Sequence, residues 1–423
     1  MIRIDSNKRV DWQQKVEDQG FKFHTFFRYY EPSKLTDAGF DVDHDENDEM
    51  YWKPQPGVNG EYETYWDESA YYQFSLKQIE DDIESPTEEI HAMCLQAVDR
   101  IVNDETLLRK LQIPEFIWER LRESWYSGQP HLYGRMDFSY DGKSPAKLLE
   151  LNYDTPTSLY EGGAVQWMWL EDMMKSRQLP MHADQFNALH EFMQAAMMSL
   201  KTKFEDERPV FHMSSCRHTV EDRSTVLYLQ EIAESVGFET RFLYVDEIGV
   251  NKENEFVGLE EEPIQAIFKL YPWEDMFTEE FAPYLATAQT HWFEPLWKSI
   301  LSNKGILPVL WEMFPDHPNL LPSYFVDSDH QVEEGWVKKP LFSREGSNIT
   351  IRTHEGDVVE EAGPYTDHPY IIQAYHPLPK FGDSYTLIGS WVIGDRAAGI
   401  GIREDNSLIT KDTSRFIPHV ILG

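Results

Sequence analysis

Four residues in one short run could hold a cation and a phosphoryl group together. They are Arg135, Asp137, Glu150 and Asn152, within LYGRMDFSYDGKSPAKLLELNYDTPTSLYEGG. Carboxylate and amide oxygens are the ligands a hard cation such as Mg2+ prefers, usually alongside substrate phosphates. A guanidinium beside them suits a phosphoryl oxygen or a substrate carboxylate. Residues 133–140 alternate polar and apolar, Asp141-Gly142-Lys143-Ser144-Pro145 supplies turn chemistry, and 146–152 runs back, which predicts a hairpin. Side chains two apart on a strand share a face. Pairing in register would therefore gather all four groups on one small surface.

A second segment, WVKKPLFSREGSNITI at 336–351, reads as two strands around a Gly/Ser loop. Gly and Ser let backbone N–H groups approach phosphate oxygens, and a lysine on the preceding strand can reach the same phosphates. A plain hairpin with surface lysines has the same composition, and GxxxxGK[ST] is absent. YIIQAYHPLPK at 370–380 suits either an adenine hinge or an ordinary strand end. GIGIRED at 399–405 has no third glycine and is not a dinucleotide fingerprint. Its Arg403 would either face a cleft or pair at the surface with Glu404 or Asp405. His212, His218, His376 and the other histidines show no metal-ligand spacing, so they read as ordinary polar or core residues. No GxSxG elbow is present, and neither Cys94 nor Cys216 lies in a nucleophile signature.

The elements that must position these groups are legible in outline. Residues 88–102 have helical spacing, with Ile90, Met93, Cys94, Ala97, Val98 and Ile101 on one face. Further helices are expected at 113–125, 163–174 and 186–204. A strand at 209–213, a helix at 221–236 ended by Gly237, and strands at 239–244 and 266–270 predict a small parallel sheet. Beyond about 296, short strands at 336–339, 348–352, 370–373, 385–393 and 397–403 predict an antiparallel region. Residues 41–64 are acidic and aperiodic and read as a loop.

The 423 residues are too many for one ordinary core, so several subdomains are expected. Hydrophobic content of 41% supports a folded chain. The net charge of −36 disfavours nucleic acid and anionic membranes as partners; it would attract a cationic substrate, or it simply keeps the chain in solution as acidic surfaces commonly do. Any nucleotide site must then concentrate its own Lys, Arg and Mg2+. No apolar run reaches the ~20 residues that span a bilayer, and the first dozen residues lack the apolar core of a secretory signal. Two cysteines fit a reducing, cytoplasmic setting.

Taken together, RMD (135–137), ELNYDTPTSLYEGG (150–163), FKLYPWE (268–274), SNKGILPVLWEMFP (302–315), VKKPLFSREGSNI (337–349), LPKFGDSY (378–385) and GIRED (401–405) resemble the synthetase domain of the glutathionylspermidine synthase family. The match is to its stand-alone acid–amine ligases, without the cysteine amidase domain. The resemblance implies an α+β, α/β chain with an ATP-grasp fold and a pre-ATP-grasp-like α/β subdomain. It implies a helical region at 1–132, a metal hairpin at 133–163, a substrate-side α/β subdomain at 164–295 and a nucleotide-binding and lid region at 296–423. It implies ATP and two Mg2+, with metal ligands Asp137, Glu150 and Asn152. Arg135 and Arg403 would be the catalytic arginines. Arg135, Met136, Asp137, Lys304, Lys339, the loop Glu345-Gly346-Ser347-Asn348, the hinge Gln373-Ala374-Tyr375 and Leu408-Ile409-Thr410 would contact nucleotide. Thr155, Thr157, Glu221 and Asp222 would hold substrate, and Leu270 and Arg415 replace residues of the family's substrate pocket. An Asp-to-Arg exchange at 415 would reverse the charge offered to a cationic amine. The implied reaction joins a glutathione- or peptide-like acid to an amine through an acyl phosphate. Two alternatives are a non-catalytic nucleotide-binding protein and a kinase or ATPase that stops at phosphoryl transfer.

Overall fold

Strands Tyr133–Ser139 and Lys147–Asn152 pair antiparallel, with Arg135 opposite Asn152 and Asp137 opposite Glu150. The register then slips by one residue, so that Phe138 faces Leu148 and Leu149 is left over as a bulge. The hairpin forms one side of an antiparallel sheet. Across it the order continues through Ser384–Ile393, Arg396–Asp405 and Arg415–Ile417. The computed structural model describes residues 1–29, 43–44, 50–51, 60–204, 209–217, 219–326, 335–411 and 413–423.

Strand alternation divides this sheet into two faces of different chemistry. Met136, Phe138, Leu148, Leu151, Ile388, Ile400 and Ile402 are buried in the largest apolar core. They share it with Ile90, Met93, Cys94, Ala97, Val98 and Ile101 of helix Ser85–Val102, the stripe expected from helical spacing. Each such side chain contributes roughly 1.5–3 kcal/mol on burial, so the sheet is held from behind by packing. The opposite face carries Arg135, Asp137, Glu150 and Asn152. Its cross-strand partners are Gly389 beside Asp137, Trp391 beside Arg135, Leu387 beside Arg403, and Phe416 beside Arg403.

Two further sheets flank it. One is parallel, in the order Thr240–Tyr244, Phe211–Ser215, Ala266–Leu270, His291–Phe293, with helix Val220–Ser235 ending at Gly237 (φ +88°). The expected strand at 209–213 lies two residues later. The other is antiparallel, in the order Ser323–Phe325, Tyr370–Ala374, Trp336–Pro340, Thr350–Arg352, Val358–Glu360. The strands expected from 336 onward form, whereas Leu296–Ile300 and Ile306–Met313, within the region read as short strands, are helical.

The N-terminal region differs from the helical expectation. Strand Ile2–Asp5 pairs with Ala70–Phe74, which pairs in parallel with His419–Ile421 near the other end of the chain. Ala70–Phe74 alternates buried and half-buried positions, a strand pattern too short to register beside the helical stretch that follows. Within the acidic 41–64 segment, residues 41–42, 45–49 and 52–59 lie outside the described residues, as does His218. Gly60–Thr64 is strand, not loop, and pairs with Thr25–Tyr29. Among the described residues no helix is long and apolar enough to cross a membrane.

Candidate active site

A cavity of about 710 Å3 opens over the polar face of the central sheet. Arg135, Asp137, Glu150, Asn152, Lys304 and Arg403 line it, with Thr155, Thr157, Glu221 and Asp222 on its walls. A smaller, more apolar slot of about 90 Å3 adjoins it, sharing Glu150, Gly346, Leu387 and Thr410. Lys339, Gln373, Ala374, Tyr375, Leu408 and Ile409 line that slot. Most of the residues singled out from sequence thus line one two-part site, a polar chamber and a more apolar slot that holds Lys339 and Gln373.

Arg135 lies along the sheet surface. Its Nε donates to Asp137 Oδ1 at 2.7 Å, one terminal nitrogen to Asp137 Oδ2 at 3.1 Å and the other to the Thr157 carbonyl at 2.7 Å. Room for this comes from Gly389 on the neighbouring strand, where a Cβ would stand 2.8 Å from Arg135 Cδ. Burial raises the Asp137 carboxyl pKa, Arg135 opposes the rise, and the facing charge of Glu150 adds to it. Burial would raise Glu150 as well, but Lys304, Lys339 and Arg135 outweigh it and hold that carboxyl below its ordinary value. Lys304 Nζ lies 3.6 Å from Glu150 and donates to the Ser343 carbonyl at 2.7 Å.

Lys339 is positioned by the bulge. Its Nζ donates to the carbonyl of Leu149, the extra residue, at 2.8 Å, and to Gln373 Oε1 at 2.9 Å. Gln373 in turn donates to the Leu148 carbonyl at 3.2 Å. Burial pushes the Lys339 ammonium down to about 8, with Glu150 opposing. Arg403 is fixed by its own loop, donating to the carbonyls of Ser414 and Lys411 at 2.9 Å each and to Ser158 Oγ at 3.1 Å.

Several expected residues are placed otherwise. Met136 is fully buried behind the sheet, because the alternation that turns Arg135 and Asp137 forward turns Met136 back. Ser347 and Asn348 line neither cavity; they crowd Gly363, and Asn348 Oδ1 accepts from the Tyr365 N–H at 2.8 Å. At the segment expected to be an adenine hinge the backbone donors are committed: the N–H groups of Ala374 and Tyr375 bond the carbonyls of Pro322 and Gly335 at 2.7 and 3.2 Å. Arg415 also lines neither cavity. It pairs across the ladder with Glu404, so it lies on the face opposite Arg403, and it bonds Ser384 Oγ at 2.7 Å and Glu404 at 3.3 Å. The charge reversal expected at an amine pocket is therefore absent from this cavity. Leu270 is buried in the core around the parallel sheet.

Arg344 and Glu274 complete the cavity and were not singled out. Arg344 reaches from the 343–348 loop to Thr155 Oγ1 at 2.6 Å and to Glu274 at 2.7 Å, bridging the loop to the end of the hairpin. Gly346 at the base of the same loop has φ +72°, and a Cβ there would stand 2.9 Å from the Thr410 carbonyl and collide with Ile409.

Residues 3–422 match the family described as glutathionylspermidine synthase preATP-grasp. The chain belongs to the glutathionylspermidine synthase family. It is 40% identical over 375 residues to the "Putative acid--amine ligase" of Haemophilus influenzae, covering 86% of this chain and 92% of that one. It is 28% identical over 382 residues to the bifunctional glutathionylspermidine synthetase/amidase of Escherichia coli, covering 84% of this chain but only 60% of that protein's length. A glutathione synthetase-like effector from Globodera pallida, solved in its apo form, superposes with a TM-score of 0.53 at 10% identity, covering 86% of this chain and 91% of that one, a likeness of fold alone. Relatives in this glutathionylspermidine synthase family carry the names of ligases and synthetases.

Proposed function

We propose that this protein is an ATP- and Mg2+-dependent carboxylate–amine ligase of ATP-grasp architecture, joining a peptide-like acid to an amine. The observation that carries this reading is the convergence of Arg135, Asp137, Glu150 and Asn152 on one sheet face with Lys304 and Lys339 in the same pair of cavities. In this reading the hairpin and residues 296–423 make the nucleotide-binding core, and the parallel sheet makes the substrate side. The oxygen donor set suits a hard dication, and a raised Asp137 carboxyl facing Glu150 is a site whose negative charge a cation would relieve. Asp137, Glu150 and Asn152 would hold it, and when bound it would screen the charge of the nucleotide phosphates.

The chain's own residues do the rest. The slot between the 336–352 strands and Leu408-Ile409 would take the base, while Lys304 and Lys339 hold phosphate oxygens. A substrate carboxylate oxygen attacks the terminal phosphorus of ATP, giving an acyl phosphate and ADP. Arg135 and Arg403 would stabilise the charge on the transferred phosphoryl group. The amine nitrogen then attacks the carbonyl carbon, phosphate leaves with the C–O electron pair, and the amine loses a proton. The loop carrying Arg344 and Gly346 would cover the acyl phosphate and exclude water. Glu221 and Asp222 give the chamber an acidic wall that suits a cationic amine, Glu274 being already paired with Arg344, and Arg415 on the other face does not oppose it.

An ADP-release assay over a panel of acids, with and without amines, tests the reaction. Acid-dependent turnover with an amide product of matching mass supports the ligase. ATP binding without turnover across the panel would leave the non-catalytic reading, and release that ignores the amine would leave a kinase or ATPase.

Two further outcomes follow from the geometry. Nucleotide affinity is expected to be flat below pH 8 and to fall by up to about tenfold per pH unit above it, as Lys339 loses its proton. Because the folded value lies below the ordinary 10.5, the unfolded chain holds that proton more tightly. The same residue therefore makes the ligand-free protein more stable as pH rises from about 8 towards 10.5. Calorimetric titration with ATP across this range reads the affinity, and Lys339→Met should remove the pH step. Gly389→Ala is expected to displace Arg135 from Asp137 and the Thr157 carbonyl, lowering kcat by about 100-fold and the thermal transition with it, read by steady-state ADP release and a thermal melt.

A further inference from the structure

A cluster of metal-binding groups lies apart from both cavities. His91 comes from helix Ser85–Val102, His131 from the segment before Tyr133–Ser139, and Asp395 from the two-residue turn joining the long strands Ser384–Ile393 and Arg396–Asp405. His91 Nε2 and His131 Nε2 lie 3.1 and 3.2 Å from the same oxygen, Asp395 Oδ1. One ligand atom from each residue falls within 4.8 Å of the others. Tetrahedral coordination at Zn–N and Zn–O lengths of 2.0–2.1 Å puts neighbouring ligand atoms about 3.3 Å apart, so two edges of such a site are already present.

We propose that His91, His131 and Asp395 bind one transition-metal dication of the zinc class, with water in the remaining position. Two imidazoles and a carboxylate favour such an ion over Mg2+, which prefers oxygen ligands alone. The surroundings supply what a ligating histidine needs. His91 Nδ1 is hydrogen-bonded to the Tyr153 hydroxyl at 3.0 Å, which sets the ring's orientation and leaves Nε2 for the metal. Asp395 is 72% exposed and gives the ion a path from solvent, while His91 and His131 are 3% and 13% exposed and provide a fixed floor.

The site would tie a helix, the start of the hairpin and the tip of the central sheet together. Tyr153 directly follows Asn152, and its N–H donates to Ser302 Oγ at 3.1 Å, on the wall of the large cavity. The site does not depend on the ligase reading, since it uses none of the residues assigned to that reaction.

The test is Co2+ titration of the full-length protein, dialysed against chelator and then held in excess Mg2+, followed by visible absorption. One equivalent should bind with the intense bands of a four- or five-coordinate ion, Zn2+ should displace it, and Zn2+ should raise the thermal transition. Asp395→Asn, at an exposed turn position where Asn is well accommodated, should weaken binding more than about tenfold, and so should His131→Asn. Circular dichroism checks that both variants fold, and Asp395→Asn alone suffices if His131→Asn does not. Displacement by Mg2+, absence of a one-equivalent event, or parental affinity in Asp395→Asn would each overturn the proposal.

Discussion

Asp137→Asn is expected to lower ADP release by about 1,000-fold while the protein remains folded. The substitution keeps the side chain's shape and one oxygen to accept from Arg135, but removes the charge that would hold a dication. Alanine is the poorer probe. It would leave the buried Arg135 guanidinium without its carboxylate partner, holding only the Thr157 carbonyl, a loss of roughly 3–5 kcal/mol that could be mistaken for an effect on chemistry. Glu150→Gln should behave like Asp137→Asn, and the double variant should lose little more, because the two residues act as one site. Steady-state ADP release at saturating Mg-ATP, with a thermal melt on the same samples, reads both quantities. Turnover within tenfold of the parent in both single variants would sink the metal assignment.

Arg403→Lys is expected to cut kcat by at least about 100-fold and leave the KM for ATP within a few-fold. The positive charge survives, so simple attraction of the nucleotide survives with it. What disappears is the planar fork, whose Nε and two terminal nitrogens are fixed by the carbonyls of Ser414 and Lys411 and by Ser158 Oγ. A lysine cannot reproduce that set of bonds, so its ammonium would be neither fixed nor planar where phosphoryl charge develops. A parallel rise in KM with kcat unchanged would instead make Arg403 a nucleotide-binding residue with no part in the reaction step.

The hairpin was legible because three local signals agree: two-residue alternation, a dense turn and a return strand. Its two strands follow from those signals, but the facing of Asp137 and Glu150 does not: the turn-side register, with Phe138 opposite Leu148, reaches that pair only through the extra residue Leu149. The same alternation should have excluded Met136, which sits between two residues of the opposite parity. Gly389 and Arg403 could not be placed without strands 384–393 and 396–405, whose pairing with the hairpin is a long-range event no window reveals. Arg415 was misjudged for a related reason. Its parity against Arg403 is set by the pairing that puts Phe416 opposite Arg403, a contact that the local pattern does not carry. Arg344 looked like one more polar loop residue until Thr155 and Glu274 came up to meet it. The histidine cluster is dispersed across three elements, so spacing gave no hint of it.

The central sheet also sets an order of events during synthesis. Tyr133–Ser139 leaves the ribosome well before its far neighbour, Ser384–Ile393, whose Ile388 finally meets Phe138. At the usual rates of translation the interval is on the order of tens of seconds. Throughout it the hairpin presents an open row of backbone donors and acceptors, with an apolar face behind it. Nascent chains are therefore exposed to pairing with one another at that edge, and yield in a heterologous host should depend on chaperone supply and on slow, cool expression more than on the stability of the finished protein.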